Sequence, residues 1–528
     1  MGSNSPSQQQ PTLPAIHPQL SSSTPPLPEI YKSLLPDLQI PSSLRQHHPL
    51  LSARLHAFLS RPIRSRDSAT LINEIHCPRV LSDRLATPYQ QKDYAEWWSD
   101  HVTEETVTRK RVEMVMYLVD LVKRGEQVVW DSRGGSVEHT SDSKTRQTTP
   151  IVHDDDDDDD AQETANRSTY PASPPTVSRG IVTAAGNGDT LQRLLTQLRI
   201  MRKHYKIDLP VEVWTYPGEI STSSSSLTRT RNRDYLELTQ QLGPTVVRVA
   251  HGLTKNWWST WWWSRWTSIK NYQIKGHAMA HSSFQEILWL DSDNIPLRDP
   301  THLFDSQVYA KGGQRAAFWP DLSKDHVDNA VWRVIGEECD LRDWSFETGQ
   351  MVVDKAGNNG LNLAALHLAA YMQADHAFWF NMCAGDKDTF RWAFKALGLP
   401  FAVAPMWAVP LGFINEKENG AGRFCGHSIL QYDLDTAPGD QEPRPLFMHS
   451  YGELGLNYVH QWVYDGKGRG LCTDLEIWNS EPRLPRDMAE HQRVELHQLS
   501  DLPDFAGFED MFYDQGGRAG IWGTLPRS

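Results

Sequence analysis

The sequence contains no run of about 18 apolar residues, so it predicts no membrane-spanning helix. No apolar signal-peptide core follows Met1, and on these grounds the chain reads as soluble. Cysteine is scarce. The five, at positions 77, 339, 383, 425 and 472, have no metal-ligand spacing. Four of them lie in the second half, which permits one or two disulfides in a secretory compartment, while the odd count leaves at least one thiol unpaired. Buried free thiols are an equal alternative. There is no basic patch: 52 Lys and Arg against 66 Asp and Glu give a net charge of −14, which argues against a nucleic-acid partner. Seven of those negative charges are the run Asp154 to Asp160, so the rest of the chain is only mildly acidic. No internal repeat is visible.

At 528 residues, 39% of them hydrophobic, the chain has room for more than one domain or one large domain with additions. Twenty Trp suit carbohydrate or large apolar surfaces. Residues 1–28, rich in Ser, Pro and Gln, are expected to be disordered. Residues 29–130 read as a helical extension; the clearest helix is 104–125, where Val112, Val115, Met116, Val119 and Val122 recur at helical spacing. Residues 131–178, with the Asp run, read as a disordered acidic insertion or linker. A catalytic domain is expected over 179–480, with 481–528 as a tail packing on it. Ile181 to Ala185, Val211 to Tyr216 and Val246 to Ala250 read as strands separated by helical stretches, which predicts a mostly parallel sheet between helices, an α/β fold. The cluster Asn256 to Trp266 places Trp257 and Trp261, and Trp258, Trp262 and Trp266, four apart. It suits a sugar-stacking wall or a membrane-surface contact, or packing against the N-terminal helices.

Ile287-Leu288-Trp289-Leu290 is an apolar run of buried-strand length that ends in Asp291-Ser292-Asp293. Ligands of open α/β sheets bind at the carboxyl ends of strands. Two carboxylates one residue apart at such an end suit a hard divalent cation shared with a substrate's phosphates. Pro296 and Pro300 are expected to stop the strand. Glu347-Thr348-Gly349-Gln350 leads into the apolar run Met351-Val352-Val353, and the glycine lets a backbone come close to a ligand. Gly385-Asp386-Lys387-Asp388 opens a helix, with Asp386 at or just before its N-terminus, where a carboxylate is a favourable cap. His449 follows the short apolar run 446–448, and neutral imidazole is a common metal ligand. Each of these residues alone has an ordinary structural explanation. His277, His281 and His367 carry no assigned role.

In order along the chain, Asn-Tyr-Gln-Ile-Lys-Gly-His-Ala (271–278), the stretch 287–300, Phe-Trp-Pro-Asp-Leu (318–322), Glu-Thr-Gly-Gln (347–350) and Gly-Asp-Lys-Asp-Thr-Phe (385–390) resemble the fungal Golgi α-mannosyltransferases that add α-1,2- and α-1,3-linked mannose to cell-wall glycans. The resemblance covers roughly 180–455. It implies a GT-A-like fold, GDP-mannose as donor, a mannose-containing glycan of glycoprotein or cell wall as acceptor, Mn²⁺ or Mg²⁺ as cofactor, and retention of configuration. It implies that Asp291 and Asp293 hold the metal, with His449 completing the site. Lys275, Gln350, Gly385 and Lys387 would join them in binding the donor, and Asp386 and then Glu347 would be the catalytic carboxylates. It also implies a Golgi, membrane-anchored protein, although no anchor is visible in this chain. A UDP-sugar transferase of glycogenin-like type fits the same motifs, and an inactive glycan-binding relative is the alternative outside enzymes.

Overall fold

A computed structural model describes residues 40–85, 95–131, 178–186, 188–217, 219–220, 229–250, 274–321, 323–383, 385–406, 408–416, 422–436, 444–450, 472–474, 497–498 and 508–516. The tryptophan cluster 256–266 and the acidic run 154–160 lie outside the described residues.

The first sheet begins with three parallel strands, β1 (Arg179–Ala184), β2 (Val211–Thr215) and β3 (Thr245–Val249). The helix Gly188–Arg199 follows β1 and buries Leu191, Leu194, Leu195 and Leu198 along one face. The fourth strand, β4 (Glu286–Leu290), pairs with β1 in parallel. Its side chains alternate between two cores. Ile287 and Trp289 join one cluster, and Leu288 and Leu290 join the other. Burial on both faces is why this strand reads as a continuous apolar run rather than an alternating one.

After Leu290 the chain turns through the aspartates into β5 (Asn294–Pro296), a strand of a different sheet. The strand therefore does not simply stop at the prolines. Pro296 ends β5 at the edge of its sheet, where a missing N–H is tolerated. The first sheet is completed by β6 (Ala316–Pro320), β7 (Phe346–Asp354) and β8 (Ala402–Val403), in the order β3-β2-β1-β4-β7-β6-β8. Only β7 runs antiparallel to its neighbours β4 and β6. This mostly parallel sheet carries helices on both faces.

The second sheet holds β9 (Val409–Glu416), β10 (Gly422–Tyr432), β11 (Pro445–Ser450), β12 (Cys472–Asp474) and β13 (His497–Gln498), with β5 at one edge. Its pairing of β5 with β11 sets Asn294 opposite His449.

The helix expected at 104–125 spans Glu104–Lys123, started by Thr103, whose hydroxyl accepts from the Thr106 N–H, and by two glutamates in its first turn. With the helix Pro49–Leu59 it shares a core with the first sheet. Arg111, fully buried, donates to the carbonyls of Arg61, Pro62, Arg333 and Val334 and so fastens this layer down. A disulfide joins Cys77 to Cys339 across the same contact, and Cys383 is a buried free thiol.

Candidate metal and nucleotide-sugar site

The two sheets meet at Asp291-Ser292-Asp293. The Asp291 N–H donates to the Gly349 carbonyl at 2.8 Å, which continues the β4–β7 pairing by one step. The next residues cross to β5, and the β5–β11 register delivers His449 beside Asp293. Ligand atoms of Asp291, Asp293 and His449 all lie within 4.8 Å of one another. Two carboxylates and one imidazole are a donor set that hard-to-borderline divalent cations such as Mn²⁺ accept. The residues present therefore fit a metal.

Each ligand is held from behind. Trp289 Nε1 donates to Asp291 Oδ1 at 2.8 Å, and Lys275 Nζ donates to Asp291 Oδ2 at 3.0 Å. Arg193 Nη1 lies 3.2 Å from Asp293 Oδ2. His449 Nε2 lies 3.2 Å from Asp293 Oδ1, and its Nδ1 lies 3.0 Å from Glu347 Oε1. Gln197, on the same helix as Arg193 and four residues on, donates to the Asp291 carbonyl at 2.9 Å.

Lys275 is buried at the start of the helix Ile274–His281. Besides Asp291 it reaches the Thr348 carbonyl at 3.0 Å and Asp386 Oδ2 at 3.1 Å. Burial pulls the ammonium's pKa down, but the carboxylates of Asp291 and Asp386 more than offset this and hold it above the ordinary lysine value. Burial pushes Asp291 up, with Asp293 adding to the rise and Lys275 opposing it. Burial would lower His449, yet Glu347 and Asp293 raise its pKa well above the ordinary histidine value.

Asp386 occupies the N-cap of the helix Lys387–Ala396, yet its side chain makes no capping bond. It faces Lys275 instead, in an ion pair rather than an aligned hydrogen bond. Gly385 precedes it with φ of 97°, a left-handed conformation that a side chain would strain. Lys387 turns away from Asp386 to pair with Asp321 and reach Ser323 Oγ at 3.3 Å. Gln350 donates to Gln431 Oε1 at 2.6 Å and accepts from Asn294. Phe346 N donates to Asp388 Oδ1 at 3.1 Å, which ties the helix of Asp386 to the strand of Glu347.

Lys275, Asp291, Asp293, Glu347, Asp386 and His449 are thus one constellation. Gln350 sits one layer behind it, and Lys387 sits at its side in a separate buried pair with Asp321. Sequence reading did not find Arg193, Gln197, Trp289 or Asn294. For Arg193 and Gln197 the sequence offers no distinct signal, because the same helix also carries Asp189, Thr190, Gln192, Thr196 and Arg199.

A family model described as "Mannosyltransferase putative" matches residues 178–341 and 338–433. The α-1,2-mannosyltransferase MNN22 of Candida albicans is 27% identical over 199 residues, 30% of this chain and 33% of the relative. MNN2 of the same organism is 42% identical over 247 residues, covering 37% of this chain and 40% of the relative. MNN2 of Saccharomyces cerevisiae is 24% identical over 208 residues, 31% of this chain and 33% of the relative. The chain thus spans about a third of the length of the curated relatives it matches. The solved galactosyltransferase LgtC overlaps 43% of this chain and 73% of its own at 16% identity and a TM-score of 0.28, too little to bear on chemistry.

Proposed function

We infer that this chain, which a mannosyltransferase family model matches over residues 178–433, is a metal-dependent retaining transferase of the fungal α-mannosyltransferase family that moves mannose from GDP-mannose to a mannose-containing glycan through an α-1,2 or α-1,3 linkage. One observation carries the reading: the Asp291, Asp293 and His449 ligand set lies at the end of β4, beside a buried Lys275–Asp386 pair. Asp291, Asp293 and His449 would hold Mn²⁺ or Mg²⁺. The cation would draw negative charge off the diphosphate as the bond to the sugar breaks. Lys275, kept charged by its two carboxylates, adds a fixed positive charge on the same side, and Arg193 beside Asp293 adds a second. Asp386 would offer a carboxylate to the positive character that the sugar carbon gains, the charge that has to be stabilised in any glycosyl transfer. Lys387 with Asp321, and Gln350 with Gln431, would form polar walls toward the sugars.

A lumenal, Golgi location fits the Cys77–Cys339 disulfide, since such bonds persist in oxidising compartments. Among the described residues no helix is long and apolar enough to cross a membrane.

The test is calorimetric titration of GDP and of UDP into the purified chain, with and without Mn²⁺. Binding of GDP that needs Mn²⁺ and is lost in Asp293→Ala is expected. Preference for UDP would replace the donor assignment. Binding of neither nucleotide would leave a glycan-binding protein.

A further inference from the structure

Resting on the metal reading above, we propose that Glu347 is not a carboxylate of the reacting sugar but a positioning residue, which holds the His449 ring so that Nε2 faces the cation. Glu347 Oε1 accepts the Gly349 N–H at 2.8 Å and lies 3.0 Å from His449 Nδ1. An ionised carboxylate only accepts, so Nδ1 carries the proton and, in the neutral ring, the Nε2 lone pair is the one left for a metal. That nitrogen points at Asp293, 3.2 Å from Oδ1, within the ligand cluster. The Gly349 backbone also closes on the ring, near Nδ1. A Cβ on Gly349 would stand 2.5 Å from Nδ1 and 2.7 Å from Cε1, so only glycine leaves the imidazole its place. The β5–β11 pairing of Asn294 with His449 fixes the main chain behind the ring. Main chain, neighbouring glycine and carboxylate together leave the imidazole one orientation. A carboxylate behind a ligating histidine fixes its tautomer and raises its basicity, and removing such a partner weakens metal affinity by about 10- to 100-fold.

The experiment measures Mn²⁺ affinity of the full chain by electron paramagnetic resonance, with and without saturating GDP, for the wild type and for Glu347→Gln, Glu347→Ala and Asp293→Ala. Nitrogen couplings in the bound Mn²⁺ signal report the histidine directly. Glu347→Ala is expected to weaken Mn²⁺ about 10- to 100-fold and to reduce the nitrogen coupling. Glu347→Gln, whose amide oxygen can still accept from Nδ1–H, is expected to recover most of both. Circular dichroism of each variant separates this from misfolding, and Glu347→Gln keeps the question open to measurement where Glu347→Ala does not fold. Wild-type Mn²⁺ binding that needs Asp293 but is unaltered in both Glu347 variants would overturn this role alone, most clearly if Glu347→Gln had lost turnover. A wild-type chain that binds no Mn²⁺ would overturn the metal reading and this role with it.

Discussion

Lys275 shows what a single buried side chain is asked to do. It is a cation with almost no solvent, held between Asp291 and Asp386 at 3.0 and 3.1 Å. A buried charge of that kind is tolerable only while its partners remain. Replacing it by methionine keeps the length and removes the charge, which leaves the Asp291 and Asp386 carboxylates facing each other without the cation between them. Lys275→Met is expected to cost about 3–5 kcal/mol in denaturant unfolding. Adding Asp386→Asn should restore part of that loss, because it removes one of the stranded charges. Strictly additive effects of the two changes would mean that the pair is not coupled. Asp386→Asn alone is expected to cut turnover while GDP binding survives, as measured by a transfer assay beside calorimetry; unchanged turnover would remove Asp386 from the reaction. At this scale the sequence was half legible. Gly385-Asp386 announced a helix start, and the helix is there, but a cap and an ion-pair partner are spelled the same way. Only the packing of the helix Ile274–His281 against the site decides between them.

The element that fixes the site is the crossing from β4 to β5 and the single-turn helix Thr301–Asp305 after it. His302 on that turn links it to the second sheet. Its Nδ1 lies 2.9 Å from the Asp299 carbonyl and its Nε2 lies 2.7 Å from Asp433 Oδ2. Both partners are acceptors, so the ring has to donate from both nitrogens, which only the imidazolium does. The Asp433 hydrogen bond, partly opposed by burial, holds the His302 pKa above 6.5. For Asp433, burial pushes upward, but the bonds from His302 and the Asp435 N–H prevail and lower its pKa. The sign follows from both shifts. The His302 contribution is complete below its unfolded value of 6.5 and is lost as pH rises through the raised folded value. The Asp433 contribution is present above the usual carboxylate value and is lost as pH falls through the lowered one. Wild type should therefore exceed His302→Ala in melting temperature by most near pH 5.5 to 6, and the gap should shrink toward pH 8.5. The ring is nearly half exposed, so after screening the largest gap corresponds to about 1 kcal/mol or less. A gap that widens with pH would reverse the assignment. Strands β1 to β4 were legible because each holds β-branched or aromatic residues in a short stretch bounded by turn or helix signals. The second sheet was not. Residues 409–432 mix Pro, Gly, Asn, Lys and Arg, so neither strand of the β9–β10 hairpin they form reads as an apolar run.

At the scale of the molecule, what joins distant parts is what no local pattern records. His449 and Asp293 are 156 residues apart, and their meeting depends on the register of Asn294 against His449. Sequence reading could place a histidine after a strand, but not the strand beside the aspartates. Cysteine counting likewise pointed at the four thiols of the second half. The described pairing instead takes Cys77 from the N-terminal helical part and Cys339 from the part that carries the first sheet, 262 residues on. Composition carries no information about such a pairing, because it is decided by which surfaces the helices cover. Closing so long a loop restricts the unfolded chain, and the chain-entropy account puts the stabilisation at about 5 kcal/mol. Arg111 and the shared apolar core hold the same two parts together without it. Replacing Cys77 and Cys339 by serine should therefore lower the melting temperature by several degrees without separating the helices from the sheet at 25 °C. Limited proteolysis distinguishes the outcomes. Cleavage confined to heated samples is expected, whereas rapid loss of the N-terminal helices at 25 °C would mean that the covalent bond, and not the packing, holds the two parts together. Mn²⁺-dependent GDP binding should survive the change, because no ligand of the site lies on the helices that the disulfide secures.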